Sequence, residues 1–273
     1  MRTLPAAVAP VLVGTSLASE IKLINAVLAL VVALALQIAV NFANDYSDGV
    51  RGTDTNRVGP TRLVASELAT PASVKIASLL SFLVAAIAGT LLSFNTSLWL
   101  IAVGAVSILA AWGYTGGKRP YGYLGFGELS VFIFFGLVAT VGSYYVQVEQ
   151  ISWNAVLLAI PMGCLSCSIL VINNLRDLPQ DALVNKRTLA VRLDNKKTRI
   201  FYARLLILAQ ITAALAGAIN YKLLLTLIWI PLTYNALMQV LKGADSKELI
   251  SVLGKTSKLQ LLLAVTLAAC LLI

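Results

Sequence analysis

Nine stretches of this chain are apolar over lengths that approach or match the thickness of a lipid bilayer, and that fixes what it can fold into. They fall at roughly 4–19, 23–43, 74–93, 98–114, 126–146, 153–173, 200–218, 222–240 and 257–273, where about 17 to 25 residues make one helical crossing. The first and fourth are short. In hydrocarbon every backbone N–H and C=O must be satisfied within the protein, so runs of this length become helices. The expectation is an all-α integral membrane protein, a single unit over residues 1–273, with about nine transmembrane helices around a central cavity. Of 273 residues, 59% are hydrophobic and only 12% charged, about half the usual charged fraction of a soluble domain. The first apolar run has no small-residue cleavage site of the signal-peptide kind.

Charge orients the helices. With the N-terminus in the cytoplasm, only Lys22 and Lys222 of the 21 Lys and Arg residues fall on the outer side. Such a bias is the positive-inside pattern, and a span miscounted by one would have scrambled it. The net charge of +9 is then topology plus attraction to anionic lipid, and nucleic acid is not an expected partner, since no basic run is interleaved with aromatics. The long inner loops, about 44–73, 115–125, 174–199 and 241–256, carry the polar residues.

Two of these loops are acidic in a chain with only twelve acids. NFANDYSDGVRGTD, residues 41–54, holds Asp45, Asp48 and Asp54; NNLRDLPQD, residues 173–181, holds Asp177 and Asp181. Ionised groups at the mouths of membrane helices are expensive and call for a reason. Four spans separate the two patches, an even number, so both face the same side. If the second helix continues, Asp45 and Asp48 share a face before Gly49 and Gly52 end it. Pro179 lies between Asp177 and Asp181, so a kink or a loop is as open as a helix there. Paired acids of this kind suit Mg2+, which prefers carboxylate, water and phosphate oxygens. With Arg51, Arg57, Arg62, Lys118, Lys186 and Arg187 nearby, they suit a metal-bound diphosphate whose C–O bond is to break. Single acids at helix ends are more often caps or solvated charges, and Asp194, Asp245 and Glu248 are read that way. Glu20 and Glu149 read as structural charges on the outer side. Glu128 is open between pairing with Lys118 or Arg119 and lining the pocket.

YTGGKRPYGYLGFGE, residues 114–128, adds a Y-x-x-x-K at Tyr114 and Lys118. It reads either as an interfacial aromatic belt or as a lysine on phosphate with aromatic faces beside a developing cation. The chain has no His, which excludes a His base or a His zinc ligand, and Cys164 and Cys167 sit in an apolar helix as small packing residues.

Taken together, N-D-x-x-D at Asn44, Asp45 and Asp48, D-x-x-x-D at Asp177 and Asp181, and Tyr114 with Lys118 resemble the UbiA superfamily of membrane prenyltransferases. RTLPAAVAPVLVGT at 2–15, NDYSDGVRGTDTNRVGPTRLV at 44–64 and NNLRDLPQDALVNKRTLAVRL at 173–193 resemble its 1,4-dihydroxy-2-naphthoate branch. Position 52 is Gly, and the third acid comes two residues later, at Asp54, as in that branch. The resemblance implies transfer of a polyprenyl group from polyprenyl diphosphate to 1,4-dihydroxy-2-naphthoate, with loss of CO2 and diphosphate, giving demethylmenaquinone. It implies Mg2+ on Asp45, Asp48, Asp54, Asp177 and Asp181, and diphosphate on Asn44, Arg51, Arg62, Lys118, Lys186 and Arg187. The acceptor would meet Asn41, Tyr114 and Arg2, and the active-site mouth would open on the cytoplasmic side of the cell membrane. Prenylation of 4-hydroxybenzoate or another acceptor stays open, as does a cation-coupled transporter. A CDP-alcohol phosphotransferase lacks its second acidic spacing here.

Overall fold

The computed structural model describes residues 3–53, 59 and 61–273, and among these all regular structure is helical. Seven helices are long and apolar enough to cross a membrane. They are α2 (Leu23–Arg51), α3 (Pro71–Asn95), α5 (Gly127–Val148), α6 (Trp153–Leu183), α7 (Leu189–Ala218), α8 (Tyr221–Leu241) and α9 (Ser246–Leu272). The other two, α1 (Pro5–Ser16) and α4 (Leu100–Gly113), are shorter, and they are the two that the sequence marks as short.

The helices differ in how much of their surface the protein itself covers. The apolar window of α6 is 78% buried, against 22–50% for the other six long helices. That makes α6 the centre of the bundle. Its Leu158, Met162, Leu165 and Ile172 are almost wholly buried, and it packs on α1, α5, α7 and α9. A helix apolar on all sides belongs in such a place. On α3 and α4 many leucines are exposed, Leu80 and Leu109 among them, as suits a lipid-facing surface.

Helix ends are set by local chemistry. Thr70 caps α3 ahead of Pro71, its Oγ1 accepting from Ser73 N at 3.2 Å. Asp245 and Glu248, read from sequence as solvated loop charges, instead form the capping box of α9: Asp245 Oδ1 accepts from Glu248 N, and Glu248 Oε2 from Asp245 N, both at 2.9 Å. Asp194 sits at a kink within α7 and accepts from Lys197 N at 3.0 Å, restarting the helix there. Glu149 meets Lys22 at 3.3 Å and closes the turn after α5, the structural part expected of it.

Two extensions matter for the site. Helix α2 does not stop near residue 43; it continues through Gly49 to Arg51 and ends at Gly52, whose φ of 70° is the left-handed conformation that glycine adopts without strain. Helix α6 runs through Pro179 to Leu183, so the region left open between kink and loop is helical. Both helices thus carry their acids beyond the apolar spans on rigid stems.

Candidate active site

On the extended end of α2, Asp45 and Asp48 lie one turn apart, 6% and 2% exposed. The two oxygens of Asp45 accept backbone N–H groups from the loop after α2, Leu63 N at 2.9 Å and Val64 N at 3.0 Å. Gly49 allows that loop to lie so close: a Cβ there would stand 2.5 Å from the Cβ of Val64. Asp48 Oδ1 accepts from the Tyr123 hydroxyl, and Oδ2 accepts from Lys186 Nζ at 3.2 Å.

On α6, Asp177 is gripped by its neighbour Arg176, whose Nε and Nη2 each donate to one oxygen at 2.7 Å. The guanidinium is buried and lies against the backbone of Gly59. Asp181, one turn on, has Oδ1 3.6 Å from Lys186 Nζ. One ammonium therefore touches a carboxylate from each acidic motif and stands 5.0 Å from the centre of the Tyr123 ring. Burial, and then Asp48, push the Tyr123 phenol up to about 12, so at neutral pH it is a donor to Asp48.

These groups border a cavity of about 900 Å³ whose walls include Asn44, Asp48, Arg62, Asn174, Asp177 and Lys186. A second, apolar space of about 200 Å³ lies between α2, α4 and α5, with Leu36, Gly104, Phe134 and Gly142 in its walls. Val40, Tyr114, Val131 and Phe135 belong to both. Helix α5 widens into a π turn at Phe132–Val138, which supplies Phe135 to this junction and Phe134 to the apolar space. A charged chamber thus adjoins a greasy one, with the Tyr114 ring between them.

The residues singled out from sequence divide into three groups. Asn41, Asn44, Asp45, Asp48, Arg62, Tyr114, Asp177 and Lys186 are in the cavity wall, with Asp181 joined to it through Lys186. Asn44 Oδ1 accepts from Thr115 Oγ1 at 2.7 Å, and Asn41 Nδ2 donates to Thr3 Oγ1 at 3.4 Å. Arg51, Lys118 and Arg187 are exposed and outside that wall. Arg51 instead holds the 115–120 loop, donating to Thr115 O at 2.6 Å and Gly117 O at 2.5 Å, with its guanidinium beside the Tyr123 ring. Arg2, Asp54 and Arg57 lie outside the described residues. Glu128 neither pairs with Lys118 or Arg119 nor lines the cavity; it is buried and accepts from Asn174 Nδ2 at 2.9 Å.

Sequence reasoning missed Arg176, Tyr123 and Asn174. From sequence Arg176 reads only as an inner-side charge, although it stands beside Asp177. Tyr123 was one of three tyrosines in a loop already marked, and nothing in the sequence ranks it above the other two.

The donors fit Mg2+ by their chemistry. Asp48, Asp177 and Asp181 offer hard oxygens, and positive charge already stands between Asp48 and Asp181 in the form of Lys186. Among the described residues no three acids close into a ready-made metal cage. Mg2+ rarely takes one; it completes its shell with water and phosphate oxygens.

Residues 7–262 match the model of the UbiA prenyltransferase family. The 1,4-dihydroxy-2-naphthoate octaprenyltransferase of Mycobacterium tuberculosis is 49% identical over 99% of this chain and 94% of its own. The protein of that name from Mycobacterium leprae is 45% identical over 99% and 93%. A UbiA homolog from Archaeoglobus fulgidus, solved bound to DMAPP and Mg2+, superposes with a TM-score of 0.63 over 98% of this chain and 96% of its own, at 12% identity. That last likeness is one of fold.

Proposed function

The chain belongs to the UbiA prenyltransferase family, and we propose that it transfers a polyprenyl group from polyprenyl diphosphate to 1,4-dihydroxy-2-naphthoate, with residues 1–273 acting as one unit in the cell membrane. The observation that carries this is the sharing of Lys186 between Asp48 of one acidic motif and Asp181 of the other, at the wall of a polar chamber that adjoins an apolar one. The naphthoate acceptor and the menaquinone pathway are supported by the names of full-length relatives. The Lys and Arg bias of the loops supports a mouth on the cytoplasmic side.

The donor's diphosphate sits in the polar chamber and its isoprenoid tail in the apolar one. Arg62 and Lys186 offer N–H donors to phosphate oxygens, while Asp48, Asp177 and Asp181 would hold Mg2+. When bound, that ion supplies charge neutralisation for a departing diphosphate. The allylic C–O bond breaks and its electron pair leaves with the diphosphate. The Tyr114 ring, where the two spaces meet, gives the allylic cation an aromatic face and keeps water from it. The carboxylate-bearing ring carbon of the acceptor bonds to the allylic carbon. Cleavage of the bond to CO2 then returns an electron pair to the ring. The product is the prenylated naphthalenediol, the reduced form of demethylmenaquinone. Loss of CO2 restores aromaticity without removal of a ring proton, as suits a chain without His.

The test is an assay of purified protein in detergent with Mg2+, geranylgeranyl diphosphate and an acceptor, followed by product mass. Prenylated naphthalenediol that disappears with EDTA is the expected result. Prenylation of 4-hydroxybenzoate alone would keep the chemistry and overturn the acceptor.

A further inference from the structure

A buried carboxylate with one hydrogen bond needs a reason to be there. Glu128, in the first turn of α5, is 5% exposed. Its Oε1 accepts from Asn174 Nδ2 at 2.9 Å, and its Oε2 is buried with no hydrogen-bond partner. Among the described residues no Lys or Arg pairs with it. Stability does not account for this, since an apolar side chain of similar size avoids the cost of desolvation.

What Glu128 does have is a connection to the cavity. Asn174 stands in the cavity wall on α6, beside Asn173 and one turn before Asp177. The Tyr114 hydroxyl, also at the wall, lies against Gly127: a Cβ on that glycine would be 3.3 Å from it. The two ends of an asparagine amide have nearly the same shape and opposite hydrogen-bonding sense. The Asn174 NH2 turns to Glu128, Nδ2 donating to Oε1. The oxygen Oδ1 is then the acceptor that Asn174 has left to offer the cavity, beside the second N–H of its amide. A carbonyl oxygen takes a hydrogen bond from a hydroxyl and repels phosphate oxygens. In a chamber otherwise furnished with charges for a diphosphate, it marks the place of a neutral hydroxyl.

We propose that Glu128 is a positioning residue for the aromatic acceptor, fixing Asn174 so that Oδ1 receives a hydrogen bond from a ring hydroxyl. This rests on the reading of the acceptor as a hydroxylated aromatic.

Steady-state kinetics with both substrates varied test it. Glu128→Leu should raise the acceptor KM about tenfold or more and leave the prenyl diphosphate KM within about twofold. It should not lower the thermal unfolding temperature. Glu128→Gln keeps an oxygen that Asn174 can donate to, so its acceptor KM should rise less; it gives the same split of KM values should the leucine variant fail to fold. Replacing the acceptor hydroxyl by its methyl ether should cost the wild type a similar factor and cost Glu128→Leu nothing more. The role is overturned if Glu128→Leu lowers kcat at unchanged acceptor KM, raises both KM values together, or shows the ether penalty in full. A wild type that prenylates no hydroxylated aromatic would remove the acceptor reading and this role with it.

Discussion

The two acidic motifs stand on helices of different kinds. The apolar window of α6, which carries Asp177 and Asp181, is 78% buried, and that of α2, which carries Asp45 and Asp48, 28%. The α6 acids are therefore placed by the core, and Asp177 is gripped by a buried arginine of its own helix. The α2 acids are placed by loops: Asp45 by the amides of 63 and 64, Asp48 by Tyr123 and Lys186. One half of the candidate site stands on the scaffold of the bundle, and the other is held by loop segments.

The largest expected effect tests that contrast directly. Asp177→Asn and Asp48→Asn should each lower turnover by about 100-fold or more. Only Asp177→Asn should also destabilise the fold, by about 1–3 kcal/mol, because it leaves a buried Arg176 N–H donor without its carboxylate oxygen. Asp48→Asn leaves Lys186 with Asp181. Thermal unfolding in detergent beside the rate assay reads both, and equal unfolding temperatures would erase the distinction.

Next in size, Lys186→Ala should raise the prenyl diphosphate KM about tenfold, and Lys118→Ala by less, since only Lys186 is in the cavity wall. A larger loss in Lys118→Ala would mean that the 115–120 loop closes over the substrate.

Asp45→Asn should come lower than Asp177→Asn. An Asn at 45 offers one carbonyl where two backbone N–H groups now find two oxygens, a loss of about 1 kcal/mol spent on loop position. A severalfold rise in prenyl diphosphate KM with kcat largely kept is the expected outcome. Full inactivation would promote Asp45 to a metal ligand.

The smallest effect concerns Tyr123. Its phenol, held up to about 12, stays protonated across the working range. Tyr123→Phe should be a few-fold slower, with a pH–rate profile parallel to the wild type from about pH 6 to about pH 10. A divergence between the two profiles in that range would contradict the donor role.

Much of this could be read from sequence because the bilayer imposes it. Hydrocarbon thickness sets the length of the apolar runs, and the cost of charge in lipid sends Asp45, Asp48, Asp177 and Asp181 to the helix mouths. Lys186 was recognisable as a cation near them. What stayed hidden depends on partners distant in the chain or on backbone continuity. Polar residues 44–51 look the same in a helix as in a loop, so the extension of α2 was conditional. Pro179 permits a helix as readily as a break. Arg51 and Lys118 have the right charge for diphosphate, and only the fold turns Arg51 onto two backbone carbonyls. The hold of Glu128 on Asn174 follows from packing between helices, which no spacing rule encodes, and the grip of Arg176 on its neighbour goes with the burial of its guanidinium against Gly59.

A double-mutant cycle on prenyl diphosphate affinity in Mg2+ decides whether the two motifs form one diphosphate site. Asp48→Asn, Asp181→Asn and the double variant are compared with the wild type. If both acids serve the same bound group, the double variant should bind little worse than either single one, short of additivity by about 1 kcal/mol or more. Losses that simply add would contradict a shared site.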